Sequence, residues 1–395
     1  MASFLFSRKA CIGKATDLCE RKMTQTLWRK QKGIRKEAYD CEKYVSGKSM
    51  DEVMAEYGLS SVIKLGSNEN QYGPYETAYK AMQAEVGKIN IYPEKNYIRL
   101  KELVGERLGV TGDWVSLGHG AGNVLDSVAK TLLEDGDEVI VPQQSYRLYR
   151  EISKIMGAKV VEVPLNDAYT IDLEDFKKAL TPKTKIVWIC NPNNPTGSII
   201  EKESFASFID AMPEDCWMVL DEAYAEFCDP DLLPDVMKFI KEGKNVIDIH
   251  TFSKYYGLAG GRIGYLVASP EFVNWYDTVS EPFNANRIGL AGAVALMENR
   301  EECKKYGNLM IKDREWLNEE LTKLGCRCYP SYANFVFFET PYPAADVAEQ
   351  LLQKGIIVRP CGGWGYDKHL RVSIGTTEQN KQFLQGIQEV FDAMK

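Results

Sequence analysis

Residues 185–224 read KIVWICNPNNPTGSIIEKESFASFIDAMPEDCWMVLDEAY. Two apolar runs, KIVWIC and WMVL, enclose a loop dense in Asn, Pro and Gly and then the helix-like stretch KESFASFIDAM. Short apolar runs of this kind, separated by a helix-length segment, predict parallel strands buried on both faces and joined by a crossover helix. The alternation extends outward on the N-terminal side through EVIVP (138–142), YREISKIMGA (149–158), KVVEVPL (159–165) and LEDFKKAL (173–180). It continues on the other side through NVIDIHTFS (245–253) and GYLVAS (264–269). The expected fold class is therefore α/β, with a large domain built on a mostly parallel sheet flanked by helices.

Beyond this region the rhythm changes. Residues 281–325 read as long helix, and CRCYPSYANFVFFET, GIIVRP and HLRVSIGT read as strands without the regular βα alternation. They predict a smaller α+β domain. The expected division is an N-terminal basic extension and arm over 1–65, a large domain over 66–285 and a small C-terminal domain over 286–395.

Composition narrows the function classes. The chain has 395 residues, 45% of them apolar, and a formal net charge of -8. That length and apolar content suffice for a large core, and the acidic balance argues against a nucleic-acid partner, which needs a basic face. No apolar run approaches the roughly 20 residues of a membrane helix, so no membrane partner is expected. The ten cysteines include no CxxC pair, which suits free thiols and a cytoplasmic setting. The three histidines, His119, His250 and His369, stand at no metal-binding spacing, so no metal is expected. The first forty residues carry ten Lys or Arg against four Asp or Glu, yet include Asp17 and Glu20, which transit peptides avoid. They read as a solvated or subunit-clasping extension.

The loops that follow the predicted strands carry the chemistry. In TFSKYYGLAGGRIGY (251–265), Lys254 comes directly after a strand, with hydroxyls at Thr251 and Ser253 and with Arg262 past a bend containing Gly257, Gly260 and Gly261. A lone lysine is ordinarily a surface residue; these flanks offer an anion site with close backbone approach. Asp221 ends an apolar strand, where parallel sheets place their ligands, and Tyr224 follows three residues on. In NPNNPTG the prolines fix the loop and leave Asn194 as a side-chain donor. GHGAGNVLDSVAKTLLEDGD (118–137) runs from glycines into an amphipathic helix, so the amides of Ala121, Gly122 and Asn123 would face an anion. Tyr146, just after EVIVP, is placed to stack on a flat ring. Arg371 in HLRVSIGT can hold a substrate carboxylate, and Arg359 in GIIVRP is a second anion binder.

An amine, a carboxylate, hydroxyl-directed donors and a phosphate cradle are together what pyridoxal 5'-phosphate requires: Lys254 for the imine, Asp221 for the ring nitrogen, Asn194 and Tyr224 for the ring hydroxyl. A lysine near that phosphate and a cationic ring has its pKa lowered, which favours imine formation.

NPNNPTG, VLDEAY, TFSK with GLAG and R, EPFNANR, and LRVSIGT with TEQN, in that order, resemble the fold-type I aminotransferases, specifically the histidinol-phosphate aminotransferase family, from about Tyr44 to the C-terminus. The resemblance implies that Lys254 holds the cofactor, Asp221 pairs with its ring nitrogen, and Asn194 and Tyr224 contact its hydroxyl. It implies phosphate binding by Ala121, Gly122, Thr251, Ser253 and Arg262. It further implies that Tyr92, in a Tyr-Pro pair, reaches the phosphate of the neighbouring subunit in a homodimer with shared active sites. By the same resemblance Arg371 binds carboxylate, Arg359 receives the substrate phosphate, and Tyr44 and Asn68 lie on the substrate side. The implied reaction moves an amino group from a small-molecule donor, L-histidinol phosphate, to a keto acid such as 2-oxoglutarate. Aromatic amino acids are the alternative donors, and a decarboxylase or side-chain lyase is the alternative reaction on the same fold. The chain departs from the family pattern at Gly122 and Asn123, Gln71, Tyr255 and Gly261, positions expected to cluster around the cofactor phosphate and substrate.

Overall fold

The computed structural model describes residues 33–43, 47–94 and 96–395. The chain separates into two compact units, Met1–Tyr44 and Val45–Lys395. Of the first, residues 33–43 are described; they hold a short 3-10 turn, Lys36–Tyr39, with an Arg35–Glu37 ion pair at 3.0 Å. Tyr44 lies outside the described residues.

The second unit is built around a seven-stranded sheet. The strands, numbered along the chain, are β1 (Ile63–Lys64), β2 (Val115–Gly118), β3 (Glu138–Pro142), β4 (Lys159–Val163), β5 (Thr184–Cys190), β6 (Trp217–Asp221), β7 (Val246–Thr251), β8 (Gly264–Val267), β9 (Arg327–Cys328), β10 (Phe335–Glu339), β11 (Ile356–Ile357), β12 (Arg359–Pro360) and β13 (His369–Ser373). The large sheet runs β2-β8-β7-β6-β5-β3-β4. Its neighbours are parallel except at β8, which is antiparallel to both β2 and β7. The apolar runs at 138–142, 185–190 and 217–220 are buried strands, as their composition requires.

Two apolar layers cover this sheet. One packs Val219, Ile247 and Ile249 against Val124, Val128 and Tyr149 from the helices Ala121–Leu132 and Leu148–Ile155. The other packs Met218, Leu220 and Val246 against Phe205, Phe208 and Phe239. Strand alternation therefore sends Asp221 toward the first layer and its neighbours Leu220 and Glu222 toward the second.

The C-terminal region holds a four-stranded antiparallel sheet, β12-β13-β10-β9. Residues 326–340, read as strand, contain two strands separated by the connection 329–334, which bends at Ala333 and Asn334. The long helix expected over 281–325 is two helices, Arg287–Glu298 and Glu301–Lys323. Asn299 leaves helical geometry at φ -136°, ψ 100°, and its side chain accepts from the Glu301 amide at 3.2 Å, starting the second helix afresh. The GIIVRP segment also divides. Ile356 and Ile357 pair in parallel with Ile63 and Lys64, whereas Arg359 and Pro360 pair antiparallel with β13. A core running from Leu65 through Tyr256 and Leu296 to Phe391 joins the two sheets' surroundings.

Candidate active site

Lys254, Asp221 and Asn194 follow or end β7, β6 and β5, at the carboxyl edge of the parallel strands where open sheets bind ligands. Lys254 is half-buried, and its ammonium donates to the Ser67 carbonyl at 3.2 Å and stands 5.9 Å from the centre of the Tyr224 ring. Burial, then the nearby charges of Arg371 and Arg262, lower its pKa to about 8.

Asp221 is buried between two donors. Tyr149 donates its hydroxyl to Oδ2 at 2.6 Å and the Ala223 amide donates to Oδ1 at 3.1 Å. Burial pushes its pKa up, and the Tyr149 and Ala223 hydrogen bonds oppose that rise. A cationic ring N–H placed against it would restore the ionised form, so the environment fits a pyridinium partner. Tyr149 itself went unnoticed in the sequence. Its only signal was its place in QQSYRLY, and its ring stacks on Trp188 at 5.7 Å.

The phosphate cradle also fits. The helix Ala121–Leu132 begins after Gly120, which has φ +79° and lies directly against the Arg262 guanidinium, where a Cβ would collide. Gly264, the register partner of Thr251, leaves room for the Ala121 amide. Thr251 donates its hydroxyl to that of Ser253 at 2.9 Å. Amides at the start of a helix, a guanidinium and hydroxyls on one small site suit a phosphate dianion. Asn123 stands in the first turn of this helix. Its backbone amide donates to the Gly120 carbonyl at 3.1 Å, and its side chain accepts from His119 N at 3.0 Å, so it braces the turn.

On the substrate side, Arg371 is buried, donates to the Asn194 side-chain oxygen and to the Gly66 carbonyl at 2.8 Å, and packs against Phe335 at 5.3 Å. Asn68 donates to the Tyr224 hydroxyl at 3.0 Å and accepts from Ser373 at 3.1 Å. Arg359 lies in register opposite Arg371 and borders a cavity of about 250 Å³ that Lys48, Lys64 and Ser67 also line. Tyr146 is partly exposed and meets Tyr149 edge-on at 5.6 Å. Tyr92 is 74% exposed and stacks on Phe283 at 4.6 Å, on the surface of this chain.

Asn70 also escaped the sequence reading. Asn70 donates to the carbonyls of Lys254 and Tyr255 and to the Tyr75 hydroxyl, at 3.1, 3.0 and 2.8 Å, fixing the turn after the lysine. Gly257, at φ +68°, packs on Gly73 in the same turn, and that contact leaves no space for a Cβ on Gly73. Of the departures expected near the substrate, Tyr255 belongs elsewhere. It is buried against Gly307 and meets Phe227 edge-on at 5.4 Å, filling core behind the site.

Comparison with known proteins agrees with this geometry. The family model described as aminotransferase class I and II matches residues 60–387. A histidinol-phosphate aminotransferase of Moorella thermoacetica is 38% identical over 88% of this chain and 90% of its own length. One from Caldicellulosiruptor saccharolyticus is 37% identical over 88% and 97%. A crystal structure of histidinol-phosphate aminotransferase from Sinorhizobium meliloti, in complex with pyridoxal-5'-phosphate, superposes with a TM-score of 0.85 at 26% identity, covering 92% of this chain and 99% of that one. With a matching family model over most of the chain and a lysine, a buried carboxylate and an anion cradle at the strand ends, the chain belongs to the class I and II aminotransferases and is an aminotransferase.

Proposed function

We propose that this aminotransferase uses pyridoxal 5'-phosphate, held by Lys254, to move the amino group of L-histidinol phosphate to 2-oxoglutarate. The observation that carries the substrate reading is the register pair Arg359–Arg371. Residues directly opposite on antiparallel strands share a face, and like charges there are destabilising unless an anion lies between or beside them. A phosphate dianion on the donor and two carboxylates on the acceptor are alternative partners for the same two guanidinium groups. The relatives named histidinol-phosphate aminotransferase support the choice of donor.

In this reading residues 66–285 bind the cofactor and residues 286–395 supply the two arginines. The cofactor supplies an aldehyde carbon and an electron-withdrawing ring. The Lys254 amine would act as the general base that takes the α-proton of a bound donor and as the acid that gives it back. Asp221 keeps the ring nitrogen protonated, and Tyr149 holds Asp221 in place. Asn194 orients the ring hydroxyl and, through its bond to Arg371, couples that ring to the bound anion. Ala121, Gly122, Ser253, Thr251 and Arg262 anchor the phosphate.

The reading includes a homodimer in which Tyr92 reaches the partner's phosphate site. It is supported by the exposed side chains of Ile89 (72%), Ile91 (57%) and Tyr92, and by Arg287, which donates to the Tyr92 carbonyl at 2.7 Å. The eight cysteines of the described residues are free thiols, which suits a reducing cytosol. Among the described residues no helix is long and apolar enough to cross a membrane.

The test is the visible spectrum of the cofactor-loaded protein as L-histidinol phosphate is added without a keto acid. Loss of the visible band, reversed by 2-oxoglutarate, is expected. An unchanged band with this donor, and loss of the band with phenylalanine or tyrosine, would overturn the substrate in favour of aromatic donors.

A further inference from the structure

On the face of the sheet opposite Asp221 lies a second cluster of ionisable side chains that the proposed reaction does not use. Asp248 and His250 stand two residues apart on β7, and Glu222 follows β6 with its amide bonded to the Ile249 carbonyl at 2.8 Å. Strand alternation points all three the same way. His250 Nε2 is 2.8 Å from Asp248 Oδ2 and 3.9 Å from Glu222 Oε2, and one ligand atom from each residue lies within 4.8 Å of the others.

The group is buried and short of donors. Asp248 is 3% exposed, and Glu222 and His250 are each 8% exposed. Among the described residues, Asp248 Oδ1, Glu222 Oε1 and His250 Nδ1 have no hydrogen-bond partner. Glu226 adds a third buried carboxylate nearby, facing Arg107 at 3.8 Å. Asp248, Glu222 and Glu226 thus share one buried region with His250 and Arg107. Buried carboxylate oxygens without donors are costly, and a cation between them would remove that cost.

We propose that Glu222, Asp248 and His250 bind one divalent first-row transition ion of the Zn²⁺ class. One nitrogen and two carboxylate ligands favour such an ion over Mg²⁺ or Ca²⁺, which take oxygen alone. Tetrahedral bonds of about 2.0–2.1 Å place ligand atoms roughly 3.3 Å apart, so an ion would replace the 2.8 Å hydrogen bond between His250 and Asp248 and draw Glu222 in from 3.9 Å. The ion is structural. Glu222 adjoins Asp221, and His250 precedes Thr251, Ser253 and Lys254, so a clamp there ties together the ends of the two strands that present the cofactor residues.

The experiment uses the full-length, cofactor-loaded protein, dialysed against a chelator, exposed to Zn²⁺ and desalted before metal analysis. About one equivalent per chain is expected to stay bound, with a higher unfolding temperature than the metal-free protein. Asp248→Asn and Glu222→Gln should each weaken Zn²⁺ binding about tenfold or more. Retention by these variants equal to that of the parent would place the metal elsewhere, for example on cysteines, and overturn the assignment. Should the variants fail to fold, the parent alone decides: no retained Zn²⁺ and no thermal shift would also overturn it.

Discussion

The Tyr149 hydroxyl donates to Asp221 Oδ2 at 2.6 Å, inside a layer sealed by Trp188 and Val219. A carboxylate that must stay ionised in a dry environment is held there by a fixed donor. The Ala223 amide is the second donor, so Tyr149 supplies half of the hydrogen bonds to that carboxylate.

Tyr149→Phe keeps the packing and removes the donor. A hydrogen bond to a charged group contributes about 1.5–3 kcal/mol, so kcat should fall roughly 10- to 100-fold while the protein remains folded and cofactor-bound. Asp221→Ala should cost more, about 3–5 kcal/mol, because the cationic ring loses its buried partner. Steady-state kinetics of the two variants, with cofactor content checked by absorbance, test the order.

Lys254 sets a pH dependence for cofactor capture. Only the neutral amine attacks an aldehyde, and burial with Arg371 and Arg262 nearby brings the pKa down to about 8. Below that pH the ammonium predominates and capture slows; above it the amine predominates and the rate levels off. Stopped-flow mixing of the cofactor-free protein with pyridoxal phosphate should therefore show a midpoint near pH 8. A rate still rising toward pH 10 would contradict the lowered pKa. Lys254→Ala should lower turnover by at least about 10²- to 10⁴-fold, the contribution of a positioned general base.

The arginine pair should separate by substrate. Arg371→Lys loses the planar fork that reaches Asn194 and Gly66 together, so KM should rise about 10- to 100-fold for donor and acceptor alike. Arg359→Ala should raise KM for L-histidinol phosphate more than for a donor without phosphate. Full activity of Arg359→Ala toward L-histidinol phosphate would remove Arg359 from the site.

Gly120→Ala tests the cradle. The added methyl meets the Arg262 guanidinium, and φ +79° is strained for any L side chain. The expected result is weaker pyridoxal phosphate binding, measured by fluorescence quenching, with Arg262→Ala giving a similar loss. An unchanged affinity in both would separate this turn from the phosphate.

The layered α/β architecture, and the position of Lys254, Asp221 and Asn194 at or just past strand ends, were legible in the sequence. Apolar runs at fixed spacing force buried parallel strands, and the polar residues in the few positions that end or follow such runs emerge at the sheet's carboxyl edge. Arg359 was visible as an arginine, but its place opposite Arg371 depends on the segment 355–360 changing partners from β1 to β13 within a few residues. Tyr149 at Asp221 and Asn70 at the Lys254 turn were likewise settled by packing between segments 72 and 184 residues apart. The break at Asn299 and the burial of Tyr255 depended on one φ/ψ pair and on the absence of a side chain at Gly307. The sequence showed His250 as one of three scattered histidines. Only the β6–β7 register, which sets Glu222 beside it on the face away from Asp221, turned it into part of a cluster. Periodicity records which face of a strand is buried, whereas register and side-chain direction across distant strands are fixed only when the sheet closes.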